Sequence, residues 1–143
     1  MPNKTPSHPH DICDRCLDYA LRAVSLFDHL QSQSNRAGWV IGNQYLRSAT
    51  SIGANLEEAQ AGETRSDFAH KCAISLKEAR ESLFWLRLLH RSQIVPAQQL
   101  DPLIQETREI VAILTTIVVR TKKPLIPRLP IFLFSILHFL FLC

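Results

Sequence analysis

Ile41-Gly42-Asn43-Gln44-Tyr45-Leu46-Arg47-Ser48-Ala49-Thr50-Ser51-Ile52-Gly53-Ala54-Asn55-Leu56-Glu57-Glu58-Ala59 is the stretch that decides the fold. Ile41, Tyr45, Ala49, Ile52, Leu56 and Ala59 recur at three and four residues, a helical stripe that Leu46 and Gly53 widen. Where exposed helices carry Lys, Glu or Gln, this run carries glycine and small polar residues, the mark of a helix packed tightly against neighbours. A mid-helix glycine costs about 1 kcal/mol relative to alanine, so Gly53 implies the close approach of another backbone. The spacing predicts a helix over residues 40–61, with Gly62 as its C′ residue. Ser51 and Asn55, beside the stripe, read as interhelical hydrogen-bond partners.

Upstream, Ile12, Cys16, Leu17, Ala20, Val24, Phe27 and Leu30 predict a first amphipathic helix over residues 11–33, broken by the polar residues 32–38. Downstream, Thr64 with Asp67 three residues later resembles a capping box. It opens a third helix running to about residue 92, with Phe68, Cys72, Leu76, Ala79, Leu83, Leu86 and His90 as its core face. Pro96, or Asp101-Pro102 as N-cap and N1, opens a fourth. Leu103, Ile104, Thr107, Val111, Leu114 and Val118 line one face of it, and Lys122 and Lys123 meet the negative pole of its dipole. Four helices with short connections predict an all-α fold, an antiparallel up-down-up-down four-helix bundle over residues 11–123.

Composition agrees. At 143 residues there is room for one domain with a real core, and the 4 glycines leave the middle of the chain without the punctuation short strands need. Residues 1–10, with Pro2, Pro6 and Pro9, read as a disordered leader. A net charge of +3 permits an anionic partner without demanding one. The four scattered cysteines, with no secretory signal before them, point to the cytoplasm. The tail from Leu125 to Cys143 is apolar and aperiodic, and its uninterrupted run is shorter than the roughly 20 residues that span a bilayer. A terminus shifted out of its ancestral frame is the favoured origin, with membrane contact and packing on the bundle as alternatives.

Three sets of residues could carry function. His8, His10, Cys13 and Cys16 hold four potential zinc ligands, and Cys13-Asp14-Arg15-Cys16 has knuckle spacing, but no second cluster follows and Cys16 already has a place on the apolar face. Arg47, Arg80, Arg87 and Arg91 have no acid three or four residues away, unlike Lys71 with Asp67 and Lys77 with Glu81. With Lys122 and Lys123 they are the candidates for phosphate contact, against the bland reading that Glu57, Glu58 and Glu78 pair with them across helices. Residues 83–89 are apolar on nearly all sides, which places Phe84, Trp85, Leu88 and Leu89 at an oligomer interface. Glu57 and Glu58 point about 100° apart and lack a nucleophile or metal set, so no enzymatic activity and no cofactor are expected. With neither a groove-reading motif nor an aromatic platform apparent, any nucleic-acid contact is expected to be weakly sequence-selective.

The runs Ile41-Gly42-Asn43-Gln44, Leu46-Arg47-Ser48, Thr50-Ser51-Ile52-Gly53-Ala54-Asn55, Glu58-Ala59, Ser66-Asp67-Phe68, Ile74-Ser75-Leu76-Lys77-Glu78-Ala79-Arg80-Glu81 and Trp85-Leu86 resemble the ribosomal RNA (23S) intervening-sequence protein family. The resemblance spans about residues 12–123 and leaves the tail outside the family pattern. It implies a four-helix bundle assembled as a ring-like pentamer, with no assigned activity for most members. It also implies kinship with the accessory variability determinant of diversity-generating retroelements, a basic nucleic-acid-binding partner of a reverse transcriptase. The expected function is therefore a homo-oligomeric binding or scaffold protein that contacts RNA, DNA or a nucleic-acid-processing protein. A protein–protein adaptor without nucleic-acid contact is the alternative, and a metal or redox protein built on the leader cysteines the weaker one.

Overall fold

In the computed structural model, residues 12–122 are described, and they form four helices: α1 (Ile12–Gln31), α2 (Arg36–Gln60), α3 (Arg65–Arg91) and α4 (Ala97–Lys122). Neighbours in sequence are neighbours in space, and the short turns between them make the bundle antiparallel, up-down-up-down. The leader to residue 11, Lys123 and the tail lie outside the described residues.

Local chemistry sets the helix ends. The Asn35 side chain accepts the Gly38 amide at 2.9 Å, which starts α2 at Arg36, four residues earlier than the apolar stripe suggests. The Thr64 hydroxyl accepts the Asp67 amide at 3.1 Å and donates to its carboxylate at 2.6 Å, so the expected cap on α3 is present. Of the two possible starts for α4, the structure uses Pro96, whose carbonyl takes the Gln99 amide at 3.0 Å; Pro102 is accommodated inside the helix. Gly62 follows the Ala61 cap as expected, but without the left-handed conformation; Gln93, just past α3, adopts that conformation instead at φ 57°.

The core face of α1 differs from the expected stripe. Cys13, Cys16, Tyr19, Ala23, Leu26 and Leu30 are buried, whereas Leu17, Leu21 and Val24 stand 61%, 60% and 41% exposed. The two faces carry similar apolar content, so periodicity alone could not choose between them; Tyr19 decides it by finding a buried hydroxyl partner. In α2 it is Gly42 and Gly38, not Gly53, that make room. A Cβ on Gly42 would lie 2.7 Å from a methyl of Leu30, and one on Gly38 would lie 2.9 Å from Ile94 and 3.4 Å from the other Leu30 methyl. Gly53 faces the Cys16 backbone, but a Cβ there would make only ordinary contacts, the nearest at 3.5 Å.

A polar layer crosses this apolar core. Tyr19 of α1 shares a 2.7 Å hydrogen bond with Thr107 of α4, and Ser82 of α3 donates to Ser48 of α2 at 2.9 Å. Tyr45 packs edge-on against Tyr19 at 6.3 Å, and its buried hydroxyl has no hydrogen-bond partner. Burial pushes the pKa of both phenols up, keeping them neutral. Further along, Ser75 donates to the Ile52 carbonyl at 2.8 Å. Ser51 and Asn55, expected to bond between helices, instead bond carbonyls of their own helix, at 2.8 Å each.

Candidate functional site

Glu58, Glu78, Glu81, Asp101, Glu106 and Glu109 are committed to cross-helix pairs. Arg47 of α2 binds Glu81 and reaches Glu78 at 3.8 Å, both on α3. The Trp85 indole and the Arg47 guanidinium, by hydrogen bonding Glu81, hold its carboxyl below the usual carboxylate range. Lys71 pairs with Glu58 across the α2–α3 seam rather than with Asp67. Arg15 binds Glu106 at 2.6 Å and Glu109 at 2.5 Å, fastening α1 to α4, and both hydrogen bonds raise the guanidinium's pKa. Arg47 therefore leaves the set of free phosphate contacts, as the cross-helix alternative held.

What remains is organised. Among the described residues Lys77, Arg80, Arg87, Arg91 and Arg108 form no salt bridge. Lys77, Arg80, Arg87 and Arg91 are exposed on α3, and at 100° per residue all four fall within about 80° of arc. They form a cationic stripe about 21 Å long. Glu78 and Glu81 lie on the α2 side of the stripe, about 100° and 40° round the helix from Lys77, and both are engaged by Arg47.

At its C-terminal end the stripe forms one wall of a cleft of about 560 Å³ between α3 and α4. Arg87 and Arg91 line it from α3; Arg108 and Gln105 line it from α4, with Ile104 buried beneath. His90 and Asp101 meet at one end, Nε2 to Oδ1 at 3.2 Å. Three guanidiniums thus converge on one recess with a single carboxylate, a geometry suited to an anion with several oxygen acceptors.

Sequence reading found Arg80, Arg87 and Arg91 but missed Lys77, which it assigned to Glu81, and Arg108, although Arg108 also has no acid three or four residues away. The spacing of Lys77, Arg80, Arg87 and Arg91 carried the signal for Lys77. Lys122 is exposed at the end of α4, about 21 Å along the helix from Arg108, and Lys123 lies outside the described residues.

The expected interface on α3 divides. Leu89 is fully buried within its own bundle, Trp85 is half-buried, and Phe84 and Leu88 are exposed. The wider exposed apolar face is that of Leu17, Leu21 and Val24 on α1. Of the metal candidates, His8 and His10 lie outside the described residues. Cys13 and Cys16 are buried, and burial pushes the Cys16 thiol up to about 12, which disfavours the thiolate that metal binding or redox chemistry needs. No group of metal-ligating side chains occurs among the described residues, and none of the described helices is long and apolar enough to cross a membrane.

The architecture is that of a small helical-bundle protein with a cationic face. The chain belongs to the 23S rRNA-intervening sequence protein family, whose model matches residues 10–116. A crystal structure of a protein of unknown function from the S23 ribosomal protein family of Bacteroides thetaiotaomicron is similar to it, at 38% identity and a TM-score of 0.70. The match covers 76% of this chain and 98% of that one. No curated protein matches the chain.

Proposed function

We propose that the protein is a non-enzymatic, cytoplasmic, homo-oligomeric binding or scaffold protein whose α3 face contacts RNA or DNA, alone or with a nucleic-acid-processing partner. The observation that carries this reading is the cationic stripe ending in the Arg87–Arg91–Arg108 cleft, where three guanidiniums meet a single carboxylate. An isolated cleft of this size binds phosphate weakly. Repeated around a ring, it contacts many phosphates of one polymer at once.

Self-association is supported by the exposed Leu17, Leu21 and Val24 face, and a pentamer by the resemblance. Burying that face against a second copy removes apolar surface that a monomer leaves in water.

Electrophoretic mobility shift of a labelled oligonucleotide at about 50 and 200 mM salt tests the reading. Binding is expected to weaken steeply with salt, and the Arg80→Gln, Arg87→Gln, Arg91→Gln, Arg108→Gln variant to bind less tightly with a shallower salt dependence and an unchanged helical spectrum. Unchanged affinity in that variant refutes the site, and no binding by the wild type favours a protein–protein adaptor.

A further inference from the structure

The cationic stripe on α3 is interrupted by one aromatic residue. Phe84 lies on the same arc as Lys77, Arg80, Arg87 and Arg91, and it is 56% exposed. It is also held in place: its ring meets that of Trp85 at 4.8 Å and 74°, and the Trp85 indole is tied to Glu81 at 3.1 Å. Trp85 can cover at most one face of the Phe84 ring in such an edge-to-face contact.

A depression of about 160 Å³ bounded by Phe84, Leu88, Arg87 and Arg91 adjoins the cleft, and the two arginines line both. A planar apolar group on Phe84 and an anion in the cleft would therefore be held by the same pair of guanidiniums. That combination, a phosphate and a flat ring one helical turn apart, is the chemistry of a nucleotide unit whose base is unpaired. A duplex keeps its bases stacked inside, out of reach of Phe84, and offers this face only its phosphates.

We propose that the α3 face binds single-stranded nucleic acid, with Phe84 as a stacking platform and Arg87, Arg91 and Arg108 holding the adjacent phosphate. The inference rests on the nucleic-acid reading above and narrows it to one strand form. It gives Phe84 a role other than the oligomer interface that its apolar neighbours suggest.

The test is fluorescence anisotropy of the full chain with labelled 20-nucleotide oligo-dT, oligo-rU and a duplex of equal length. The single strands are expected to bind at least several-fold more tightly than the duplex. Phe84→Ala should weaken single-strand binding roughly tenfold or more, as loss of a stacked base does, and change duplex binding less than twofold. Phe84→Trp should restore the single-strand affinity, and light scattering should give the wild-type oligomer size for both variants. Equal single-strand affinity in Phe84→Ala and wild type, or tighter binding of duplex, overturns the stacking proposal while leaving the cationic site intact if the arginine variant still loses affinity. A smaller oligomer for Phe84→Ala overturns it as well, by showing Phe84 to be interface. Failure of all three oligonucleotides to bind overturns both readings.

Discussion

Gly42→Ala and Gly53→Ala are the same chemical change in the same helix, and the packing gives them opposite signs. At position 53 the added methyl meets Cys16 Cβ at 3.5 Å and the Cys16 backbone at 3.7 and 3.8 Å, all ordinary contacts. The helix-propensity gain of about 0.8–1 kcal/mol should therefore be realised there. At position 42 the methyl arrives 2.7 Å from Leu30 Cδ1, and Leu30 must move by about 1 Å to reach normal carbon–carbon separation. Leu30 is fully buried, and its other methyl already lies against Gly38, so it cannot turn away freely. Overpacking of this kind costs about 1–3 kcal/mol, which outweighs the propensity gain and leaves a net loss of roughly 1 kcal/mol. The two variants should differ by about 2 kcal/mol, read by urea denaturation followed by circular dichroism at a fixed protein concentration. Adding Leu30→Ala should cost less in the Gly42→Ala background than in the wild type, because the clash is already there to be relieved. If the two glycine variants shift stability equally, or the Leu30 coupling is absent, the Leu30 notch is not what Gly42 is for.

Three further outcomes are expected. The proposed self-association predicts that light scattering gives an oligomer for the wild type and a monomer for Leu17→Glu with Leu21→Glu, without loss of helical signal, and an equal size for both would place the interface elsewhere. Glu81 and Glu109 have pKa values lowered from 4.5 in the folded protein, Glu81 through Trp85 and Arg47 and Glu109 through Gln105 and Arg15. Their contribution to stability is therefore fully present above about pH 4.5 and lost as pH falls through the lower folded values; Glu81→Gln should flatten that acid limb of the denaturation profile, and an unaltered limb would contradict the pairing. Cys16, buried and with its thiol pushed up to about 12, should resist a thiol reagent at pH 8 until urea is added, whereas rapid native labelling would reopen a metal or redox role.

The fold was legible because hydrophobic period and end chemistry agree along most of the chain. Tyr45, Ala49, Ile52, Leu56 and Ala59 are buried as their spacing required, and the Thr64 cap sits where its sequence placed it. Sequence reading failed where two faces of one helix are nearly equally apolar, as in α1, and where the choice depends on a partner far along the chain: Thr107 for Tyr19, Leu30 for Gly42. The site followed the same division. Arg80, Arg87, Arg91 and Arg108 all lack local acids, but Arg47 has its acids 31 and 34 residues away on α3, and only the packing of α4 on α3 brings Arg108 to the cleft of Arg87 and Arg91.

The polar layer through the middle of the bundle has a bearing on how many structures this sequence can adopt. Leucines and alanines facing one another tolerate sliding: a helix displaced by one turn, about 5.4 Å, meets another set of aliphatic side chains much like the first. Tyr19 has Thr107 as its partner in one alignment of α1 with α4, and Ser82 has Ser48 in one alignment of α3 with α2. Slipping either pair strands buried hydroxyls, at about 1–3 kcal/mol each. The layer thus acts as an index mark between helices, removing alignments that an all-aliphatic interior would leave degenerate. Because Lys77, Arg80, Phe84 and Arg87 share α3 with Ser82, that mark also sets where along α2 the cationic face stands.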